Sequence, residues 1–107
     1  MMFKKELVEK ILSGEKTATR RMKQQSRVGG ITNLMVNKDY SKETGTYIQM
    51  TAVYQQRLGD MTDLDAQKEG FRDLSSFKEY WTRELRDEWN PDNVVWVHEF
   101  RLLKKRA

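Results

Sequence analysis

Thr46-Tyr-Ile-Gln-Met-Thr-Ala-Val-Tyr-Gln-Gln-Arg57 decides the fold class. Ile48, Met50, Ala52 and Tyr54 fall on one side of it, and Tyr47, Gln49, Thr51 and Val53 on the other, a period of two that only a strand keeps. Just upstream, Asn37 to Gly45 (NKDYSKETG) is rich in turn formers, and Ile31 to Val36 reads as a second strand, so the two form a hairpin. Far downstream the alternation returns in Asn93 to Leu103, with Val94, Trp96, His98, Phe100 and Leu102 on one face and Val95, Val97, Glu99, Arg101 and Leu103 on the other. Thr17-Ala-Thr19-Arg20-Arg21-Met22 mixes β-branched and charged residues, as a short strand with one polar face would.

Between the strands the period changes to that of helices. Phe3, Leu7, Val8, Ile11 and Leu12 make one apolar stripe over roughly Lys4 to Ser13, with Glu6 and Lys10 spaced to pair on the outer face and Gly14 as the stop. Leu58-Gly59-Asp60-Met61 turns the chain. Thr62 to Asp65 then has the pattern of a capping box opening a short helix that Glu69-Gly70 closes. Ser76-Phe-Lys-Glu79 signals a longer helix through Leu74, Phe77, Tyr80, Trp81, Leu85 and Trp89, broken by Asn90-Pro91-Asp92. The order is helix, strands, two helices, strand. Hairpin-sized loops between strands and helices gathered in blocks imply α+β, with a curved, mixed or antiparallel sheet that could close as a small barrel. A chain of 107 residues has room for one core, so a single domain over residues 1–107 is expected.

Charged residues make up 34% of the chain and mean hydropathy is −0.86, yet the apolar residues recur too regularly for disorder. There is no cysteine, no apolar run near ~18 residues and no signal-like segment, which points away from disulfides, secretion and membranes and toward the cytoplasm. The net charge of +4 is unevenly spread. Residues 1–38 hold nine Lys/Arg against three acids, 60–92 hold five against ten, and 93–107 hold four against one. If the basic ends meet, Arg20, Arg21, Lys23, Arg27 and the tail Lys104-Lys-Arg106 would form a face for RNA; otherwise the mixture serves solubility.

The chemistry has few candidates. One histidine, His98, and no cysteine give no metal-ligand cluster, so neither a metal nor a cofactor is expected. Between Trp96 and Phe100, His98 reads as a packed histidine. No Walker or Rossmann glycine pattern is present. What remains is Lys16, Thr19 and Glu69. Lys16 in the turn after Gly14 and Thr19 on the following strand could face one another. A threonine hydroxyl becomes a nucleophile only if a base takes its proton, which a lysine can do once desolvation and nearby cations such as Arg20 and Arg21 lower its pKa. Glu69 ends a helix, where the dipole disfavours negative charge, a setting suited to an acid that gives and takes protons. The plain reading of all three is solvated or structural. Tyr80, Trp81, Trp89 and Trp96 could stack on a base or simply pack the core.

Ile11-Leu-Ser-Gly14-Glu-Lys16-Thr-Ala-Thr19-Arg20-Arg21, Arg57-Leu-Gly-Asp60-Met-Thr62, Asp65-Ala-Gln-Lys-Glu69-Gly70-Phe71, Phe77 with Trp81, and Val95-Trp-Val-His-Glu-Phe100 together resemble an ASCH domain, a branch of the PUA-like fold. The chain departs from the family at Val28-Gly29-Gly30-Ile31, where a Gly-Asp pair is usual. The resemblance implies a small β-barrel flanked by helices. Within the family, the chain is most similar to small bacterial amidohydrolases that remove the acetyl group from N4-acetylcytidine without a cofactor. Carried over, that similarity implies Lys16, Thr19 and Glu69 as the catalytic set, and Arg20, Arg21 and Thr17 as substrate-binding residues, with Trp81 and Trp96 as candidate stacking surfaces. The implied partner is a modified nucleoside. RNA binding without chemistry, or RNA cleavage, is the alternative that the wider family implies.

Overall fold

The computed structural model describes residues 1–36, 42–86 and 88–103. The elements are β1 (Met2–Phe3), α1 (Lys5–Ser13), β2 (Ala18–Arg21), β3 (Ile31–Val36), β4 (Lys42–Arg57), a 3₁₀ turn (Leu58–Asp60), α2 (Asp63–Lys68), α3 (Leu74–Leu85) and β5 (Val94–Leu103). All five strands belong to one sheet in the order β1-β3-β4-β5-β2. β1 runs parallel to β3 and every other pair is antiparallel, so the sheet is mixed. Although β1 and β2 lie at opposite ends of that order, Arg21 Nη2 on β2 donates to the Met2 carbonyl on β1 at 2.8 Å. Its guanidinium also lies 4.8 Å from the Phe3 ring centroid. The sheet therefore curls into a half barrel whose two edges meet at a seam.

Local chemistry explains most of the boundaries. Gly14, at φ 86°, takes the left-handed conformation that ends α1, and its N–H bonds to the Ile11 carbonyl. Leu7, Val8 and Ile11 bury their stripe against Phe3, Leu34, Ile48, Met50 and Phe100, while Leu12 at the helix end is exposed. Lys10 turns away from the expected partner Glu6. Its Nζ donates to the Gly70 carbonyl at 2.6 Å and lies 4.7 Å from the centre of the Phe71 ring.

β1 was not legible as a strand, because two residues cannot show a period. β3 keeps its expected bounds, and β4 begins at Lys42, earlier than the alternation indicates. Of the turn expected between them, residues 37–41 lie outside the described residues. The register between β4 and β5 slips between Met50 and Ala52. One extra residue there exchanges the faces of β4, so Ile48 and Met50 are followed on the core side by Val53 in place of Ala52. The single-face reading of β5 changes too: Val95, Val97, His98 and Phe100 are all buried.

The capping box of α2 forms as its sequence indicates. Thr62 Oγ1 accepts from the Asp65 N–H at 3.2 Å and Asp65 Oδ2 accepts from the Thr62 N–H at 3.0 Å. α3 starts at Leu74, with Asp73 as its cap accepting from the Ser76 N–H at 2.9 Å, and stops at Leu85. Trp89 lies past the helix end, yet its ring still packs on Trp81 and Phe77 with centroids 6.0 and 6.2 Å away. Leu58, Met61, Ala66, Phe77, Trp81 and Val95 make this second core, which fixes α2 and α3 against the sheet. Among the described residues no helix is long and apolar enough to cross a membrane.

Candidate active site

A cavity of about 320 Å³ opens at the seam of the half barrel. One wall carries Lys16, Thr19, Arg20, Arg21 and Glu69. The opposite wall is the face of α3 with Phe77, Tyr80, Trp81, Glu84 and Leu85, joined by Met2, Phe3, Lys4 and Leu7. Residues 77, 80, 81, 84 and 85 follow the helical i, i+3, i+4 rule, so one stripe of α3 faces the space.

The three candidate catalytic residues line this one cavity and are all buried, with Lys16 2%, Thr19 5% and Glu69 3% exposed. Lys16 leaves the turn after Gly14, where its N–H bonds to the Lys10 carbonyl at 3.0 Å. Its Nζ donates to Glu69 Oε1 at 2.9 Å, to the Glu69 carbonyl at 3.2 Å and to the Ala18 carbonyl at 2.8 Å. These acceptors match the three hydrogens of an ammonium. Burial nevertheless pushes the Lys16 pKa below the ordinary lysine value; Glu69 opposes that shift, while the charges of Arg21 and Arg20 add to it. The lysine is thus a cation held in place yet more ready than usual to exist as the amine.

Glu69 follows the last residue of α2 and is no solvated helix end. Its second oxygen, Oε2, accepts from Arg20 Nη1 at 2.8 Å, so one carboxylate bridges a lysine and an arginine. The next residue must be glycine for two reasons. Gly70 has φ 94°, and a Cβ there would stand 3.1 Å from Lys10 Cδ and 3.3 Å from Lys16 Cβ. The chain turns tightly at this point, with Gly70 against both lysines and Glu69 on Lys16.

The two neighbouring arginines have different tasks. Arg20, 6% exposed, donates through Nε and Nη2 to Gln56 Oε1 at 3.2 and 2.8 Å, and its Nη2 lies 3.7 Å from Asp65 Oδ1. Gln56 Nε2 in turn reaches Asp65 Oδ2 at 3.3 Å. Arg20 therefore holds Glu69 and joins α2 to β4, so its guanidinium is committed to the protein. Arg21 is the guanidinium that touches the hydroxyl: Nε donates to Thr19 Oγ1 at 3.2 Å. Gln56 and the side-on role of Asp65 were not read from the sequence. Asp65 stands four residues before Glu69 and so shares its helix face, which was the available clue; Gln56 on a strand far away offers none.

Two expected contacts lie elsewhere. The Thr17 side chain is exposed and outside the cavity, in the segment between Gly14 and β2; its main chain ties α2 to β5, with Thr17 N–H to the Lys68 carbonyl at 2.7 Å and Phe100 N–H to the Thr17 carbonyl at 2.9 Å. Trp96 is also absent from the lining and sits in the sheet opposite Arg21 and Gln55. Trp81 does line the cavity, but at 7% exposure, with its ring centroid 5.9 Å from that of Phe77, it offers an apolar edge and no open stacking face.

His98 is packed, as its neighbours indicate. Nε2 accepts from the Gln25 N–H at 3.1 Å, and burial holds its pKa below the ordinary histidine value. No group of three or more His, Cys, Asp or Glu suited to a metal occurs among the described residues.

A half-closed mixed sheet flanked by three helices, with a charged cavity at its seam, defines a PUA-like domain. Residues 1–104 match the family model of the ASCH domain, and the chain belongs to that family. Its fold is similar to the crystal structure of an ASCH domain from Lactobacillus crispatus, with 21% identity, a TM-score of 0.69, and coverage of 90% of this chain and 69% of that one. A crystal structure of a protein from Enterococcus faecalis gives 21%, 0.64, 92% and 67% in the same order. That of an ASCH protein from Zymomonas mobilis gives 13%, 0.62, 94% and 66%. The chain thus spans about two thirds of the length of these relatives. No curated protein matches its sequence.

Proposed function

We propose that the domain is an amidohydrolase that cleaves the N4-acyl amide of N4-acetylcytidine or related N4-acylated cytidines and cytosines. The observation that carries this reading is the buried chain of contacts from Arg20 through Glu69 to Lys16, sharing one cavity with the hydroxyl of Thr19.

In the first half of the reaction, Lys16 gives one proton to Glu69 and becomes the amine. It then takes the Thr19 proton as Oγ1 bonds to the acyl carbon. Negative charge passes to the former carbonyl oxygen. Arg21, beside Oγ1, and the excess of cations on this wall favour that charge among buried side chains. The C–N4 bond breaks, the protonated pair Lys16–Glu69 supplies the hydrogen to N4, and the freed cytidine leaves an ester on Thr19. In the second half, a water gives a proton to the pair and its oxygen attacks the ester carbon. The ester bond breaks, Thr19 Oγ1 recovers its hydrogen, and a carboxylic acid departs. The sum is one amide and one water converted to an amine and an acid, with no redox change and no cofactor in the scheme.

The rival is an RNA-binding module without chemistry. Arg20, counted on its basic face, is buried and engaged with Glu69 and Gln56, and the tail Lys104-Lys-Arg106 lies outside the described residues. Incubating the protein with N4-acetylcytidine and, separately, with a labelled RNA oligomer tests both. Release of cytidine that is lost in Thr19→Ala and Lys16→Ala supports hydrolysis. Intact nucleoside together with salt-dependent RNA retention, or RNA cleavage, would replace this reading.

A further inference from the structure

The α3 wall of the cavity has no part in the bond-breaking steps above, and it is not simply apolar. Tyr80 and Glu84 stand four residues apart on the same stripe and both line the space. Glu84 forms an ion pair with Lys4, just before α1, so the pair spans two elements at the cavity wall. Oε2 of Glu84 is taken by Lys4, whereas among the described residues Oε1 has only Arg83 Nε at 3.8 Å, too far for a hydrogen bond. The Glu84 side chain keeps 23% of its surface open. That oxygen is available to a donor entering the cavity. The Tyr80 ring packs 4.9 Å from Phe71, centroid to centroid. Burial and the nearby charges of Glu84, Glu6 and Glu69 raise its pKa to about 12, so the phenol keeps its hydrogen.

We propose that Glu84, with Tyr80 one turn before it, is the sugar-recognising element of the cavity. The open carboxylate oxygen accepts from the vicinal hydroxyls of a ribose, and the Tyr80 hydroxyl supplies a donor beside it. This rests on the reading of the site as one for N4-acylated cytidines, and it names the nucleoside over the free base as the preferred form. The volume agrees. At about 320 Å³ the cavity is at the small end of the ~300–1,000 Å³ range of small-molecule sites, and it extends past the reactive wall as far as Lys4 and Glu84. A carboxylate is the side chain suited to a vicinal diol, since it accepts from two hydroxyls at once. A hydrophobic wall would not separate a nucleoside from its base, whereas a half-buried acceptor that a ligand covers without giving it a donor penalises the ligand that lacks one.

The test compares KM for N4-acetylcytidine, N4-acetyl-2′-deoxycytidine and N4-acetylcytosine, and in parallel the binding of cytidine and cytosine followed by tryptophan fluorescence, since Trp81 lines the cavity. The unaltered protein should favour the ribonucleoside over the base by about tenfold or more, as loss of a hydrogen bond to a charged group implies, with the deoxynucleoside between them. In Glu84→Gln that ratio should collapse toward one, and in Tyr80→Phe it should shrink. Lys4→Met removes the ion pair but leaves the carboxylate, and should keep the ratio. Equal KM and equal binding for nucleoside and base in the unaltered protein would overturn the proposal. So would a Lys4→Met variant that loses the ratio as Glu84→Gln does, because Glu84 would then be only a strut. If cytidine binds in preference to cytosine but no amide is hydrolysed, the sugar assignment stands and the reaction falls. If hydrolysis occurs without discrimination, the reaction stands and the sugar assignment falls.

Discussion

The two walls of the cavity treat charge in opposite ways. On the β2–α2 wall the ionic groups are buried and bound to one another: Lys16 has three acceptors, Glu69 has two cations, and Arg20 is divided between Glu69 and Gln56. On the α3 wall, Tyr80 and Glu84 are half-buried and Glu84 has an oxygen to spare. Buried ions gain nothing from water and must be satisfied by the protein, which fixes their positions closely. Groups at a mouth remain solvated until a ligand arrives. In the proposed function the first wall carries the reaction and the second recognises the sugar, and removing groups from each separates the two roles.

The largest effect should come from the first wall. Thr19→Ala and Lys16→Ala should each lower kcat for N4-acetylcytidine by ~10³-fold or more, in line with loss of a nucleophile or its base, measured by release of cytidine. Arg20→Met should follow. It leaves a buried Glu69 with one cation instead of two, at a cost of ~3–5 kcal/mol in unfolding free energy, readable by urea denaturation, whereas Arg57→Met, which breaks a pair with Asp92 whose side chains are 50% and 84% exposed, should change stability by only ~0–1 kcal/mol. Equal costs for the two would contradict the contrast between buried and open charge.

Proton linkage sharpens the contrast further. Because burial puts the Lys16 pKa below its ordinary value in the folded protein, the unfolded chain holds that proton to higher pH. Stability should therefore rise with pH between the lowered value and the ordinary ~10.4. Lys16→Met should flatten that rise. At the small end, Gly70→Ala should destabilise by about 1–3 kcal/mol from its positive φ and close lysine contacts, and lower kcat more than it raises KM, because it displaces Glu69 from the first wall and leaves the second intact.

Much of this was visible in the chain. The period-two run from Thr46 and the stripe of Leu7, Val8 and Ile11 gave strand and helix because each buries one face, whereas Phe3, expected on that stripe, lies on β1; Gly14 marks the end of α1 and Thr62 the start of α2 by backbone chemistry. The candidates Lys16, Thr19 and Glu69 were picked out by type and through family resemblance, and they line one cavity. What was hidden depends on distant contacts. The two-residue β1 shows no pattern of its own, the β4 bulge moves Val53 to the core by a slip in register, and the split between Arg20 and Arg21 follows from which side of a four-residue strand meets α2. Gln56 carries no local signal at all, since its role exists only once β4 lies beside Arg20.

The proposed reaction requires Thr19 to become acylated. Mixing the protein with N4-acetylcytidine, quenching in acid within the first turnovers and mapping peptides by mass spectrometry should show an acetyl group on the peptide bearing Thr19, absent in Thr19→Val. Cytidine released at full rate by Thr19→Val, with no acetylated peptide from the unaltered protein, would contradict it.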